Sequence, residues 1–149
     1  LQREVEAVRI EQAETPKPVA LVDSEGRVLG VMLAFGEFIF RANGKTALLC
    51  GTGESKILPY NEVYFATTDC QGQAYGFLSP SNLLLGGFYD PITGKVFAPI
   101  PNEPPVRVQV CSALARSGAC VPTSCSPESE FARMEEIGVL EYTPPLHLE

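Results

Sequence analysis

Five cysteines are the side chains of this 149-residue chain whose type and spacing most directly suggest chemistry: Cys50, Cys70, Cys111, Cys120 and Cys125. A thiol serves as a nucleophile, a metal ligand or half of a disulfide, and its surroundings decide which. Cys50 ends the apolar run TALLC and reads as a buried, inert thiol. The other four lie in polar, turn-rich text: TTDCQGQ, VCSALARSGAC and CVPTSC. Four such cysteines in a Pro- and Gly-rich chain predict two disulfides and an oxidising compartment. Three pairings are open to four cysteines. The expected one joins Cys70 to Cys120 and Cys111 to Cys125, because a bridge from the 67–77 turn would tie down the long C-terminal loop. Structural zinc fits poorly. Cys120 and Cys125 have an allowed spacing, but the only partner pair, Cys111 and Cys120, is widely separated and shares a member. No metal and no cofactor is expected.

Other catalytic patterns are incomplete. A nucleophilic thiol or hydroxyl needs a base, and the single histidine, His147, sits almost at the chain terminus. There is no G-x-S-x-G elbow. GTGES (51–55) is glycine-rich but lacks the Lys-Ser/Thr and following helix of a phosphate loop, so it reads as a turn. Glu135 and Glu136 are adjacent and diverge on any regular element, while Asp23, Asp69 and Asp90 stand in turn text where Asp binds its own backbone. A carboxylate pair for glycoside hydrolysis is therefore the weaker alternative. The DSEG and DPITG turns lack the length and terminal Glu of a calcium loop. Without tryptophan, a platform for a flat ligand such as a sugar would rest on Tyr60, Tyr64, Tyr75 or Tyr89.

The elements that would position these groups are mostly strands. From Val19 onward, short apolar runs are cut by turn residues at the spacing of a β-sandwich or barrel. FIFRANGKTALLC places NG between two apolar runs, a hairpin signal, and FYDPITGKVFAPI repeats the form. EVYFAT and VRVQVC read as further strands, the latter with Val106, Val108 and Val110 on one side. PIPNEPP (99–105) reads as a loop or an edge crossing, and the glycine pair of NLLLGGFY as a bulge or turn. Two helices are expected. One is SPESEFARMEEIG, with Ser126 as cap, Gly138 as stop and Phe131, Met134 and Ile137 as its buried face. The other is residues 1–18, where Leu1, Val5 and Val8 have the spacing of a coiled-coil seam before Pro16 and Pro18 end it. The reading is an all-β head of antiparallel hairpins over 19–149 behind an oligomerisation segment at 1–18. The chain starts without Met and is expected to be part of a longer protein.

Composition narrows the partners. The net charge is −7 and the 11 basic residues are scattered, which disfavours nucleic acid and anionic lipid. The longest apolar run, VLGVMLAF (28–35), is too short to span a bilayer as a helix.

Three segments resemble a poorly characterised group of bacterial and phage-like β head domains. VALVDSEGRVLGVML is similar to their v-D-x-x-G-x-x-v-G opening. VYFATTDCQGQAYGF resembles their Y-x-(S/T)-x-D-C-x-G-x-a-Y segment at Tyr64, Asp69, Cys70, Gly72 and Tyr75, and YTPPLHLE their closing T-P-P tail. The resemblance carries no catalytic residues. It implies a head domain on a collagen-like or other fibrous, homotrimeric stalk of a secreted or phage-like protein. The expected function is that of a structural and interaction module at a cell surface or virion, which caps or registers the stalk or adheres to a surface ligand.

Overall fold

The computed structural model describes residues 18–34, 36–51, 56–78 and 86–149. Residues 1–17, with the expected seam of Leu1, Val5 and Val8, lie outside the described residues, as does most of the GTGES turn. All regular elements among the described residues are strands, and all paired strands run antiparallel in two sheets.

The first sheet contains β1 (Ala20–Val22), β2 (Val28–Ala34), β3 (Glu37–Ala42), β4 (Lys45–Gly51) and β5 (Ile57–Leu58) as a meander. The NG hairpin forms as expected. Ala42 pairs with Lys45, and Asn43 and Gly44 take φ of 54° and 75°, the two positive values of a type I′ turn. This tight turn fixes the register. Phe38, Phe40, Ala47 and Leu49 therefore share one face, which is buried, and Ile39 and Leu48 share the other.

The second sheet contains β6 (Val63–Phe65), β7 (Ala74–Gly76), β8 (Phe88–Tyr89), β9 (Lys95–Pro99), β10 (Val106–Val108), β11 (Ser112–Leu114), β12 (Cys120–Pro122) and β13 (Ser129–Val139). Its order is β12-β11-β6-β7-β13-β9-β8, with β10 also on β13. β8 and β9 form the second expected hairpin. Asp90 closes it by accepting the Ile92 N–H and the Thr93 hydroxyl, each at 2.9 Å. The proline-rich stretch is a loop, as expected, and it interrupts one line of pairing. β9 pairs with residues 134–139 of β13, and after the loop β10 pairs with residues 129–131 of the same strand.

The expected C-terminal helix is replaced by β13. Phe131, Met134 and Ile137 are buried, at 4%, 1% and 3% exposure, but not as one helical face. Phe131 meets Tyr64 and Phe77 on one side of the sheet, while Met134 packs with Val63, Phe65 and Phe88 on the other. Ile137 is the extra residue of a bulge between Glu136 and Gly138, which turns it into the inter-sheet core. A three-residue period thus arises from a long strand buried in three places. Pairing with β7, β9 and β10 supplies hydrogen bonds along most of its length and overrides the local helix signals.

The main core lies between the sheets. Leu21, Leu29, Phe38, Phe40, Leu49 and Ile57 meet Tyr89, Val96, Ala98, Ile137, Leu140 and Leu146. A second cluster of Val63, Phe65, Ala74, Phe88 and Met134 fills the opposite face of the second sheet. The C-terminal tail closes the first sheet at its edge, where β14 (His147–Leu148) pairs with β1. Asp23, fully buried, locks this closure. One carboxylate oxygen accepts the N–H of Glu25 (3.0 Å) and of Arg27 (2.8 Å). The other accepts the Arg27 guanidinium and the N–H of Thr143, each at 2.9 Å.

Candidate functional site: a stapled aromatic sheet face

Two disulfides hold the β11–β12 end of the second sheet. Cys70 is bonded to Cys120 and Cys111 to Cys125, the expected pairing, with 50 and 14 residues of sequence separation. Cys70 stands in a turn with φ 58°. Its N–H donates to the buried Ser112 hydroxyl (3.1 Å), which donates to the carbonyl of Thr67 (2.6 Å). The 67–77 turn is thereby fixed to β12 by a covalent bond and to β11 by a hydrogen-bonded pivot. Two formed disulfides belong to an oxidising, extracytoplasmic environment. Cys50 is the free cysteine, and it is half-buried rather than fully buried. Burial, then the charge of Glu37, pushes its thiol pKa up, so it is a poor nucleophile near neutral pH.

Beside this staple, register builds a row of side chains across five strands. Val121 opposes Ala113, Ala113 opposes Tyr64, Tyr64 opposes Tyr75 and Tyr75 opposes Arg133. Opposed residues in an antiparallel sheet point to the same face. At the β9 end, that face carries Ala98 into the inter-sheet core. At the β6–β7 end it runs free of the first sheet and becomes aromatic. The Tyr64 ring lies 4.9 Å from Phe77 in an edge-on contact and 5.8 Å from Phe131, and Phe77 stacks 6.0 Å from Phe131. Phe131 is the buried floor of this trio, whereas Phe77 is 47% exposed. The Tyr64 hydroxyl donates to the Glu62 carboxylate. Burial first, then this bond, holds the phenol pKa well above its ordinary value, so the ring stays neutral and hydrogen-bonded.

Polar groups at the edge of the row are also fixed. Arg133 donates to Glu103 at 2.7 Å and to the Gln73 amide oxygen at 3.2 Å. The Gln73 amide nitrogen donates to the Met134 carbonyl at 2.7 Å. Gln73 and Arg133, with Gly72, Phe97, Glu135 and Glu136, line an open cleft of about 450 Å³. The arrangement suits a flat ligand. Ring faces supply apolar contact, and a guanidinium and an amide stand at the rim.

The four tyrosines singled out in the sequence separate into two pairs. Tyr64 and Tyr75 are cross-strand neighbours on the free face. Tyr89 is instead a core residue, 6% exposed and 5.9 Å from Tyr142, and so is withdrawn from any contact surface. Tyr60 lies half-buried against Gly86, where a Cβ would come within 2.6 Å of its ring. Phe77 and Phe131 were not anticipated for this face. Phe77 stands two residues beyond Tyr75, and that alternation is the signal that adds it. No protein-family model, curated protein or solved structure matches this chain.

The remaining candidates lie apart. His147 is exposed on β14, 3.0 Å from Glu149. Among the described residues no three of His, Cys, Asp and Glu are grouped to hold a metal ion. Glu135 and Glu136 both border the cleft but engage different cations, Lys45 at 2.7 Å and Lys95 at 3.7 Å.

Proposed function

We propose that the chain is a non-catalytic binding head of an extracytoplasmic protein, borne by a homo-oligomer on a cell surface or virion. Its contact surface is the aromatic face around Tyr64, Tyr75 and Phe77, and its ligand class is carbohydrate. The observation that carries this reading is Phe77, a large apolar ring 47% exposed on a sheet stapled by disulfides. Phe77 does not stand alone: it stacks on Phe131 and meets Tyr64, and a grouped apolar surface, unlike a scattered one, marks an interaction site. The C–H face of a sugar ring would stack on Phe77 and Tyr64, with its hydroxyls reaching Arg133 and Gln73. The sequence resemblance to stalk-borne head domains supports the same placement. A carboxylate hydrolase is the second reading. It is less supported because Glu135 and Glu136 are each held by a lysine.

A glycan array probed with the oxidised full chain, followed by calorimetry on the hits, tests this reading. Tyr64→Ala with Phe77→Ala is expected to weaken binding by about 10-fold or more, the effect of losing aromatic contacts worth ~1.5 kcal/mol. Absence of any glycan binding by the wild-type chain, or binding indifferent to both rings, overturns it.

A further inference from the structure

The first sheet has an apolar face that the inter-sheet core does not use. Register places Ala20, Val31, Ile39 and Leu48 in one row across β1, β2, β3 and β4, on the side opposite Phe38 and Leu49. Val31 is 44% exposed and Leu33, at the bulge beside it, 51%, whereas Leu48 at the β4 end is already buried, at 1%. A half-solvated antiparallel sheet normally turns polar residues outward, so the Val31 end of this row asks for a cover.

The charges beside the row say what the cover is. Glu37 and Arg41 flank Ile39 on β3 at two residues on either side, and so share its face. Neither takes part in an ion pair among the described residues. The order along the strand is negative, apolar, positive. A two-fold axis lying in the face, across the strands at Ile39, sets Glu37 of each copy against Arg41 of the other and Ile39 against Ile39. Such self-complementarity is the property of an isologous interface. That axis runs along the row and leaves the sheet on the side of β1.

We propose that this face, centred on Val31, Ile39, Glu37 and Arg41, docks on the same face of a second copy of the chain. The inference rests on the homo-oligomeric reading above and sharpens it, since a two-fold contact pairs heads rather than grouping them in threes.

Analytical ultracentrifugation of the full oxidised chain, from micromolar to millimolar, tests it. The wild type is expected to form a dimer. Val31→Lys with Leu33→Lys should raise its Kd about 100-fold, while Ile92→Lys, on the distant β8–β9 turn, should not. Glu37→Arg should weaken the dimer about 10-fold, and adding Arg41→Glu to it should restore it, a rescue that a folding defect cannot imitate. Carbene footprinting of the unmutated chain should protect Val31 and Ile39 as concentration rises. A dimer or trimer indifferent to these changes overturns this face and leaves the oligomeric reading standing. A wild type that is monomeric throughout overturns both.

Discussion

The carboxylate of Asp23 accepts the backbone N–H of Thr143 at 2.9 Å, across 120 residues of chain. Ser24 adds two bonds to the Thr143 carbonyl, from its N–H and its hydroxyl, each at 3.0 Å, and Arg27 reaches the Thr143 hydroxyl at 2.8 Å. The β1–β2 turn is thus a clasp for the C-terminal tail, and the V-D-S-E-G-R and T-P-P segments are two halves of one feature.

The clasp predicts a specific acid response. Burial alone would push the Asp23 carboxyl up. The N–H groups of Thr143 and Arg27, the Arg27 guanidinium and the N–H of Glu25 together outweigh it and bring the pKa down to about 2, from 3.8. A depressed folded-state pKa contributes stability above the unfolded value and loses it as pH falls through the folded one. Thermal unfolding followed from pH 7 to pH 2 should therefore steepen between about pH 4 and pH 2. Asp23→Asn should lower Tm at neutral pH and flatten that segment. An unchanged acid slope in the variant would mean that other carboxylates govern it.

The two disulfides should differ in weight. In the chain-entropy account, closing the 50-residue separation of Cys70–Cys120 stabilises by about 4 kcal/mol, and the 14-residue separation of Cys111–Cys125 by about 3 kcal/mol. Paired Cys→Ala variants compared by guanidinium denaturation measure this. Equal losses, or a larger loss for the shorter loop, would contradict it. Intact mass after alkylation should show at most one modified thiol under native oxidised conditions, that of Cys50, and five after reduction and unfolding.

At high pH the buried tyrosines matter. Burial, with the neighbouring Tyr142 and Asp90, pushes Tyr89 up to about 12. The unfolded chain ionises this phenol near its ordinary value of 10, so stability is intact below pH 10 and falls between pH 10 and pH 12. Tyr89→Phe should make the alkaline decline shallower. Absorbance at the phenolate band should reveal tyrosines that ionise only as the fold opens; uniform titration near 10 would count against that expectation.

Gly30 should tolerate no side chain. A Cβ there would stand 2.1 Å from the Ile39 carbonyl oxygen and 2.7 Å from the Phe38 ring. Backbone cannot yield as a flexible side chain does, so Gly30→Ala should cost about 3 kcal/mol, the upper end for overpacking. Urea denaturation measures it, and a loss below about 1 kcal/mol would show that β2 can slide.

Much of the architecture was legible because its signals are local. Asn43-Gly44 and Asp90 to Gly94 act through their own dihedrals and hydrogen bonds, and both hairpins follow from them. β13 was misread because a helix cap, an acidic first turn and a three-residue apolar period are equally local, whereas its partners lie as far away as Gly76 and Val106. The site divides the same way. The alternation of Val63, Tyr64 and Phe65 marks Tyr64 as facing away from the second cluster. That it meets Tyr75 and Phe131 depends on register between distant strands, which no short window contains. Tyr89 likewise is buried through its pairing with Val96 over the inter-sheet core, not through its residue type.

The clasp also sets the order in which the molecule can be made. β1 lacks its edge partner until His147 and Leu148 exist, and Leu21 shares its core with Leu146. A chain that emerges amino end first therefore makes β1 long before the segment that seals it. Contacts of such high sequence separation form late and slowly. Completion of the first sheet consequently waits for residues 147 and 148, and every shorter length of the chain carries β1 with an open edge.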